Sequence, residues 1–139
     1  MAGIYTLSKN ERLKSLKAIR HLFEFGQKFK ASPMLVYYHV DTISGAAAEQ
    51  FPLKMGVSVG ARHFKKAVDR NLMKRRMREA FRKQKLPLLE YLREKQLHMD
   101  VFFVYSHALL ADYASIAHAM ENAMGKLIAM IEKNQQHDG

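Results

Sequence analysis

Basic side chains are concentrated in one short window of this 139-residue sequence. Between Arg62 and Lys85 there are eleven lysines and arginines against two acids, a net charge of +9, whereas the rest of the chain carries only +1. A concentrated cationic patch binds polyphosphate by releasing condensed counterions, while scattered positive charge mainly improves solubility. The charge distribution therefore predicts a nucleic acid as the main partner, before any motif is considered.

The basic window has the period of a helix, which sorts its side chains onto two faces. Over residues 68–85 the apolar positions fall within one arc of a helical wheel and predict a seam against the core: Met73, Met77, Ala80 and Phe81. A second arc forms what we call the cationic ridge: Lys74, Arg75, Arg78, Arg82 and Lys85, with Arg76 and Lys83 on its flank. Guanidinium groups bind phosphate oxygens in pairs. Ordinary solvated helix faces mix charges of both signs, so a ridge with so few acids favours phosphate binding over simple solvation.

The segment before this helix has a composition that suits an anion. It contains two glycines and four cationic or imidazole side chains: Gly56, Gly60, Arg62, His63, Lys65 and Lys66. Backbone amides at a helix N-terminus favour phosphate, and nearby cations add to that preference. The glycines fit a tight turn or close packing equally well, and the sequence leaves both interpretations open.

The remaining composition excludes several classes of protein. The chain has no cysteine, so disulfides and thiolate metal sites are excluded and a reducing compartment is expected. Its seven histidines show no metal-ligand spacing, and its acids form no carboxylate pair of the kind that holds two metal ions. The first ten residues lack the apolar core of a signal peptide, and the longest strongly apolar run, residues 101–105, is too short to cross a membrane. We therefore expect a soluble, cytoplasmic protein with no membrane partner, no small-molecule substrate and no catalytic or metal-binding residue of its own.

The N-terminal half predicts one helix and two strands. Apolar residues at helical spacing and a Ser8 cap predict a helix over residues 8–25, ended by Gly26. Residues 34–40 are rich in β-branched and aromatic side chains, and residues 53–59 alternate apolar with small or polar ones, so both are predicted strands. The small, polar stretch between them predicts a surface loop, and the two strands are predicted to pair as a hairpin.

The C-terminal half predicts helices around one buried strand. The basic helix ends before Pro87, and a short helix over residues 88–97 follows it. Residues 100–106 are almost continuously apolar, as in an interior strand. A last helix is predicted over residues 113–132, with Asp112 as its cap.

The order of these elements predicts a two-layer α+β sandwich. A small mixed sheet of about four strands packs against three helices, in the order αβββαβα or αββαβα. No linker rich in proline, serine or glycine divides the chain, so residues 1–139 are predicted to form a single domain with a core over residues 8–132.

The basic window also contains an ordered series of residues that goes beyond its charge. It consists of Val57-Ser-Val-Gly60, then Lys65-Lys-Ala-Val-Asp-Arg-Asn71, then Lys74-Arg-Arg-Met-Arg-Glu-Ala-Phe-Arg82. This series resembles the signature of the bacterial ribonuclease P protein family. Arg70 and Asn71 match the first two positions of the family's Arg-Asn-Arg element, but Leu72 stands at the third. Arg76, at a position that is more often apolar in the family, would partly replace the missing charge.

The resemblance extends outward over residues 12–132. Outside the basic window it rests on Arg12-Leu-Lys14, Leu22-Phe23, Gly26-Gln-Lys-Phe29 and Leu35-Val-Tyr-Tyr38, which resemble the family's first helix, the turn after it and its first strand. It implies a fold with a left-handed crossover, which is rare. It also implies two RNA-facing surfaces, one on the basic helix and one in a cleft between the sheet and the helices.

The first implied surface binds the catalytic RNA of ribonuclease P. Its residues belong to the basic helix and the segment before it: Arg62, Lys65, Lys66, Arg70, Asn71, Lys74, Arg75, Arg76, Arg78 and Arg82. The second surface binds the single-stranded 5′ leader of precursor tRNA. Phe23 and Tyr38 match its aromatic positions, and Ile19 stands at a position that is often aromatic. Aromatic side chains stack on unpaired bases with little sequence preference; the alternative is that Phe23 and Tyr38 are simply core residues.

The resemblance implies that the protein is one subunit of an endoribonuclease. Its partners would be the ribonuclease P RNA and precursor tRNA, and the RNA subunit would carry the chemistry with bound Mg²⁺. No cofactor is expected on the protein alone. The alternative is a non-enzymatic RNA-binding protein, such as a ribosomal protein or an assembly factor, which fits the charge and the fold class equally well. The ordered series of residues in the basic window favours the ribonuclease P subunit over this alternative.

Overall fold

A four-stranded mixed sheet organises the described part of the chain. The structure is a computed structural model that describes residues 11–42, 52–60, 62 and 64–138, with side chains up to residue 133. In chain order the elements are α1 (Leu16–Phe25), β1 (Gln27–Ala31), β2 (Met34–Thr42), β3 (Leu53–Val59), α2 (Ala67–Gln84), α3 (Leu86–Lys95), β4 (Leu97–Tyr105) and α4 (Tyr113–Asp138). Within these ranges the predicted α+β class is confirmed, and the separate α3 brings the number of helices to four rather than three.

β4 lies inside the sheet, whose strand order is β1-β2-β4-β3. Its neighbours are the antiparallel β2 and the parallel β3, so the predicted hairpin of β2 with β3 is wrong. β2 forms its hairpin with β1 instead. The reason is burial: β4 is buried along nearly its whole length and needs a neighbour on each side, whereas β1 exposes alternate lysines and suits an edge. α2 and α3 connect the parallel pair, and the left hand of this crossover stays a prediction.

Alternation along the strands gives the sheet two packed faces. One face directs Val101 and Met55 into the main core, where they meet α2 and α4. The opposite face carries Tyr37 and Phe102, which pack with Leu22 of α1 in a second, smaller cluster. We call this second side of the sheet the α1 face.

α1 is shorter at its N-terminal end than predicted. The predicted cap, Ser8, lies outside the described residues. The helix instead begins after Ser15, whose Oγ accepts a hydrogen bond from the Ala18 N–H at 3.2 Å. At the other end Gly26 is the cap, as predicted, and a Cβ at this position would lie 2.4 Å from the Leu22 carbonyl oxygen. Only glycine therefore fits this tight exit into β1.

The basic helix and the last helix follow the prediction closely. α2 ends at Gln84, and α3 follows with Pro87 in its first turn. The Asp112 carboxylate caps α4 by accepting from the Ser115 N–H at 2.8 Å. The predicted loop over residues 44–50 lies outside the described residues. No helix within the described ranges is long and apolar enough to span a membrane.

Candidate nucleic-acid interface

α2 presents an apolar seam to the core and several of its cations to the outside. The four predicted seam residues are all buried: Met73, Met77, Ala80 and Phe81. On the outer side, Lys74, Arg75 and Arg78 are exposed or half-exposed. Among the described residues, none of these three cations lies within salt-bridge distance of a carboxylate. They form the part of the cationic ridge whose charge is available to an external anion.

Arg82 and Lys83 share the carboxylate of Glu79. The Arg82 Nε lies 3.1 Å from Glu79 Oε2, a second guanidinium N–H donates to Oε1, and the Lys83 Nζ lies 3.8 Å from Oε1. The hydrogen bond from Arg82 lowers the pKa of Glu79, which keeps this carboxyl ionised. The C-terminal end of the ridge is therefore partly neutralised, with Arg82 still half-exposed.

Arg76 points back into the protein. Its Nη1 donates to the Ala111 carbonyl in the loop before α4, and its charge contributes to lowering the pKa of Asp112, after the hydrogen bonds from the first turn of α4. Arg76 was predicted to replace the charge that is missing at Leu72. The structure does not support that role, because the guanidinium is directed at the loop and secures it against α2.

The N-terminal end of α2 combines exposed polar side chains with backbone amides. The exposed residues there are Arg62, Lys65, Lys66 and Asn71. In the described part of the chain, the side chain of the cap residue, Lys66, makes no hydrogen bond to the first turn of α2. The backbone amides of that turn are therefore suited to binding an anion. The Arg70 Nη1 donates to the carbonyls of Phe64 and Lys65, at 2.6 and 3.0 Å, and so holds the preceding turn against the helix.

Lys85 does not belong to the cationic ridge. It is 2% exposed, and its Nζ lies 2.6 Å from the Oε1 of Glu11. Lys85 follows the last residue of α2, Gln84, and keeps helical backbone angles, φ −71° and ψ −23°, so the wheel gave its direction correctly. It does not extend the ridge because Glu11 packs against it and buries its ammonium group.

Residues 12–14 run along β3 in an extended conformation, after Glu11 in a 3-10 turn, and are not part of the first α-helix. Arg12 pairs with Met55 in a parallel bridge, and the Leu13 N–H donates to the Met55 carbonyl at 2.8 Å. Because side chains alternate along an extended chain, Leu13 is buried, while Arg12 and Lys14 are exposed. This alternation brings two more cations to the surface next to α2.

Arg12 and Lys14 line a cavity together with Arg78 of α2, and we call this site the cation pocket. Its volume is about 230 Å³, and Ile19 and Phe102 supply part of its apolar wall. Partial burial, and secondarily the nearby charge of Arg12, lower the pKa of Arg78. Like charges around one cavity repel one another, and a phosphate between them relieves that repulsion. Arg12 and Lys14 were not predicted as site residues, because helical periodicity assigned them to the first helix.

Aromatic side chains on the α1 face form a partly exposed cluster next to the cation pocket. The Phe23 ring lies edge-on to Tyr37, with 4.6 Å between centroids, and to Phe102, with 5.1 Å. Phe23 is 42% exposed, and Tyr37 and Ile19 are half-buried, so ring surface remains accessible. We call this site the aromatic cleft and define it by Ile19, Phe23, Tyr37 and Phe102. Phe23 and Ile19 thus lie together on the α1 face, and their part in leader binding stays a prediction.

Tyr38, which was predicted to line the same cleft, points into the main core. It is 3% exposed, its ring centroid lies 5.9 Å from that of Phe29, and its OH donates to Gln27 Oε1 at 2.7 Å. Successive side chains of a strand point to opposite faces, so Tyr37 and Tyr38 cannot share one. Tyr37 takes the position in the cleft, and the alternative stated above, a core residue, holds for Tyr38.

Gly56 allows β3 to lie close to the Phe102 ring. The two residues are register partners across β3 and β4. A Cβ on Gly56 would lie 2.5 Å from the Cε2 of Phe102. Close packing is therefore the reason for this glycine, and the Phe102 ring that it accommodates is shared by the cation pocket and the aromatic cleft.

Comparison with known proteins points to one family. The sequence profile of the family described as Ribonuclease P matches residues 7–128. The chain belongs to the Ribonuclease P family. It is 33% identical to the Ribonuclease P protein component of Porphyromonas gingivalis, over 86% of this chain and 85% of that protein. A protein of the same name from Chlorobium phaeobacteroides is 28% identical over 76% of each chain.

Two solved structures have the same fold. The ribonuclease P protein of Thermotoga maritima matches with a TM-score of 0.62 at 20% identity, covering 84% of this chain and 96% of that one. The ribonuclease P protein of Staphylococcus aureus matches with a TM-score of 0.59 at 18% identity, covering 84% and 94% of the two chains. The mixed sheet with helices on both faces is therefore the fold of known ribonuclease P proteins.

In this Ribonuclease P family member the predicted RNA-binding residues fall into three groups. The exposed ridge consists of Lys74, Arg75 and Arg78. Around the N-terminal end of α2 lie Arg62, Lys65, Lys66 and Asn71. The residues that bond within the protein are Arg70, Arg76 and Arg82. Across the described ranges, no three histidine or carboxylate side chains are grouped so that they could hold a metal ion.

Proposed function

We propose that this chain is the protein subunit of ribonuclease P, which removes the 5′ leader from precursor tRNA. In this proposal the protein binds the catalytic RNA and the leader, and the RNA subunit carries out the hydrolysis. The observation that supports it most is the adjacency of the cation pocket and the aromatic cleft, which share the Phe102 ring. An unpaired RNA strand requires both surfaces together, since its phosphates need cations and its bases need flat apolar faces.

The leader would lie across the α1 face with its bases in the aromatic cleft. Stacking of a base on Phe23 or Tyr37 contributes about 1–3 kcal/mol and depends little on base identity. The backbone phosphates would reach Arg12, Lys14 and Arg78 in the cation pocket. Such a mode of binding suits leaders of varied sequence, because no base edge has to be read.

The catalytic RNA would bind along the outer side of α2. Arg75 is exposed there and Lys74 is half-exposed, and the polar side chains around the N-terminal end of the helix extend the same surface. Arginine and lysine contacts with phosphate give affinity that falls steeply with salt concentration. Arg78 lies on the ridge and also lines the cation pocket, so it would stand between the two RNA partners.

The protein would contribute to the reaction by increasing the affinity for the substrate and by screening the negative charges of the two RNAs. Its net charge of +10 reduces the repulsion between the leader and the catalytic RNA when they approach each other. Mg²⁺ would be held by the RNA and its substrate, where it would activate water for phosphodiester hydrolysis. Because the protein's cations take over part of the screening, less Mg²⁺ would be required for the same rate.

The direct test is reconstituted cleavage of precursor tRNA by a bacterial ribonuclease P RNA at low Mg²⁺, with and without this protein. We expect the protein to restore cleavage at the mature 5′ end while being inactive alone. The triple variant Lys74→Ala, Arg75→Ala and Arg78→Ala removes the proposed RNA-binding cations. It should fold but fail to stimulate cleavage. If the wild-type protein binds the RNA but leaves cleavage unchanged, the general RNA-binding alternative replaces this proposal.

A further inference from the structure

One buried ion pair joins two parts of the chain that are far apart in sequence. The Nζ of Lys85 lies 2.6 Å from the Oε1 of Glu11, across 74 positions of the chain. Glu11 is 4% exposed, and Lys85 lies at the junction of α2 with α3. A buried ion pair stabilises a fold no better than a well-packed apolar pair, because both charges lose their hydration. The pair does fix the position of the N-terminal segment relative to the end of α2, because separating either buried charge from its partner would be costly.

Both ends of this ion pair lead directly to the cation pocket. Glu11 immediately precedes Arg12 in the segment that runs along β3, and Lys85 directly follows α2, which carries Arg78. Arg12 is thus the residue next to Glu11 in the chain, and Arg78 lies seven residues, or about 10 Å of helix, before Lys85.

The pocket itself opposes this arrangement. Arg12 and Arg78 are close enough for the positive charge of Arg12 to lower the pKa of Arg78, after the effect of partial burial. Three cations on two separate elements repel one another, and this repulsion favours separation of the segment from α2. The segment is held against β3 by the buried Leu13 and by the bridge between Arg12 and Met55. The Glu11–Lys85 pair links it to the C-terminal end of α2, the helix that carries Arg78.

We infer that the Glu11–Lys85 ion pair is a positioning device that assembles the cation pocket, holding Arg12 and Lys14 against Arg78 before the RNA arrives. The inference rests on the proposed function, in which this pocket binds the phosphates of the 5′ leader. Binding to a preformed pocket avoids the loss of conformational entropy that ordering the segment would otherwise require. Glu11 and Lys85 thus act on the leader through Arg12 and Lys14, without touching it.

The test compares the affinities of reconstituted holoenzymes for precursor tRNA with a long leader and for leaderless tRNA. Lys85→Met should weaken binding of the long-leader substrate about tenfold, the effect of losing roughly one charge-assisted hydrogen bond, and should leave leaderless tRNA unaffected. The salt dependence of long-leader binding should also flatten, by about 0.7 for one lost single-strand phosphate contact. In the background of Arg12→Ala with Lys14→Ala, Lys85→Met should cause no further loss, because the residues that it positions are already absent.

Two further variants separate positioning from general destabilisation. Glu11→Gln keeps the shape of the side chain and an acceptor for Lys85, so it should fold and show a smaller loss of the same leader-selective kind. Leu92→Ala removes a fully buried side chain of α3 away from the pocket and serves as the control for lowered stability. Thermal unfolding of each variant, followed by circular dichroism, shows how much stability each has lost.

The inference is overturned if Lys85→Met weakens both substrates equally, if the loss persists in the Arg12→Ala with Lys14→Ala background, or if Leu92→Ala reproduces it. Failure of the proposed function gives a different pattern. In that case Arg12→Ala with Lys14→Ala would itself leave the affinity for the long leader unchanged, and the leader-binding role of the pocket would fall together with the inference.

Discussion

The neighbours Tyr37 and Tyr38 should respond in opposite ways to substitution by alanine. Tyr37 lies on the α1 face, half-buried against Phe23 in the aromatic cleft. Tyr38 lies in the main core, 3% exposed against Phe29. Tyr37→Ala should therefore weaken leader binding with little loss of stability, and Tyr38→Ala should lower stability with no selective effect on the leader.

The magnitudes follow from what each side chain contacts. Tyr37→Ala removes one stacking surface, about 1–3 kcal/mol, which corresponds to a loss of affinity for long-leader substrate of about 5- to 150-fold. Its contact with Phe23 adds about 0.5–1.5 kcal/mol to the stability of the free protein. Tyr38→Ala empties a fully packed site and should lower the free energy of unfolding by about 3–5 kcal/mol.

Two measurements on the same variants decide between these roles. Equilibrium binding of reconstituted holoenzyme to long-leader and leaderless tRNA gives the leader-specific affinity, and thermal unfolding of the free protein gives its stability. Tyr37→Phe is the matched control, because it keeps the stacking face and removes only the hydroxyl. Equal losses for both substrates with Tyr37→Ala, or a leader-selective loss with Tyr38→Phe, would refute the assignment of the cleft.

Three further substitutions test other parts of the interface and the fold. Arg75→Ala should flatten the dependence of log affinity on log salt for the catalytic RNA by about 0.7–0.9, whereas Arg93→Ala, an exposed arginine of α3, should leave it unchanged. Gly56→Ala should lower the free energy of unfolding by about 1–3 kcal/mol, since its Cβ meets the Phe102 ring, and an unchanged melting temperature would show that the strands separate at no cost. Hydrogen bonds from the first turn of α4 lower the pKa of Asp112, so its contribution to stability is present above its ordinary pKa and is lost as the pH falls below about 4. Asp112→Asn keeps an N-cap acceptor and should make stability less sensitive to acid over that range; an identical pH profile in thermal unfolding would contradict this role.

The face that α2 buries was predictable because its apolar positions repeat with one helical period over the whole element. The four seam residues needed no information from outside the helix. The same reasoning assigned Lys85 to the exposed ridge, although its backbone angles are helical as the wheel assumes. A wheel contains no signal for the carboxylate 74 positions away that buries it.

The strands were less predictable, because their faces and neighbours depend on contacts distant in sequence. In the pair Tyr37–Tyr38 the residue types are identical, so only the register with β4 decides which ring faces α1. β1 is short and alternates lysine with a single buried Phe29, a pattern too polar to be identified without its partner β2. The segment over residues 12–14 matched a helical period by chance, although the Leu13 N–H donates to the Met55 carbonyl of β3.

The location of the leader on the protein is tested most directly by photo-crosslinking. Precursor tRNA with 4-thiouridine at single leader positions is bound to the reconstituted holoenzyme, irradiated, and the crosslinked peptides are identified by mass spectrometry. We expect crosslinks in α1, in β2 at Tyr37 and in β4 at Phe102. Unlabelled long-leader substrate should remove these crosslinks fully by competition, and mature tRNA should remove them poorly. Crosslinks confined to α3 and α4, or none to this protein at any leader position, would contradict the account.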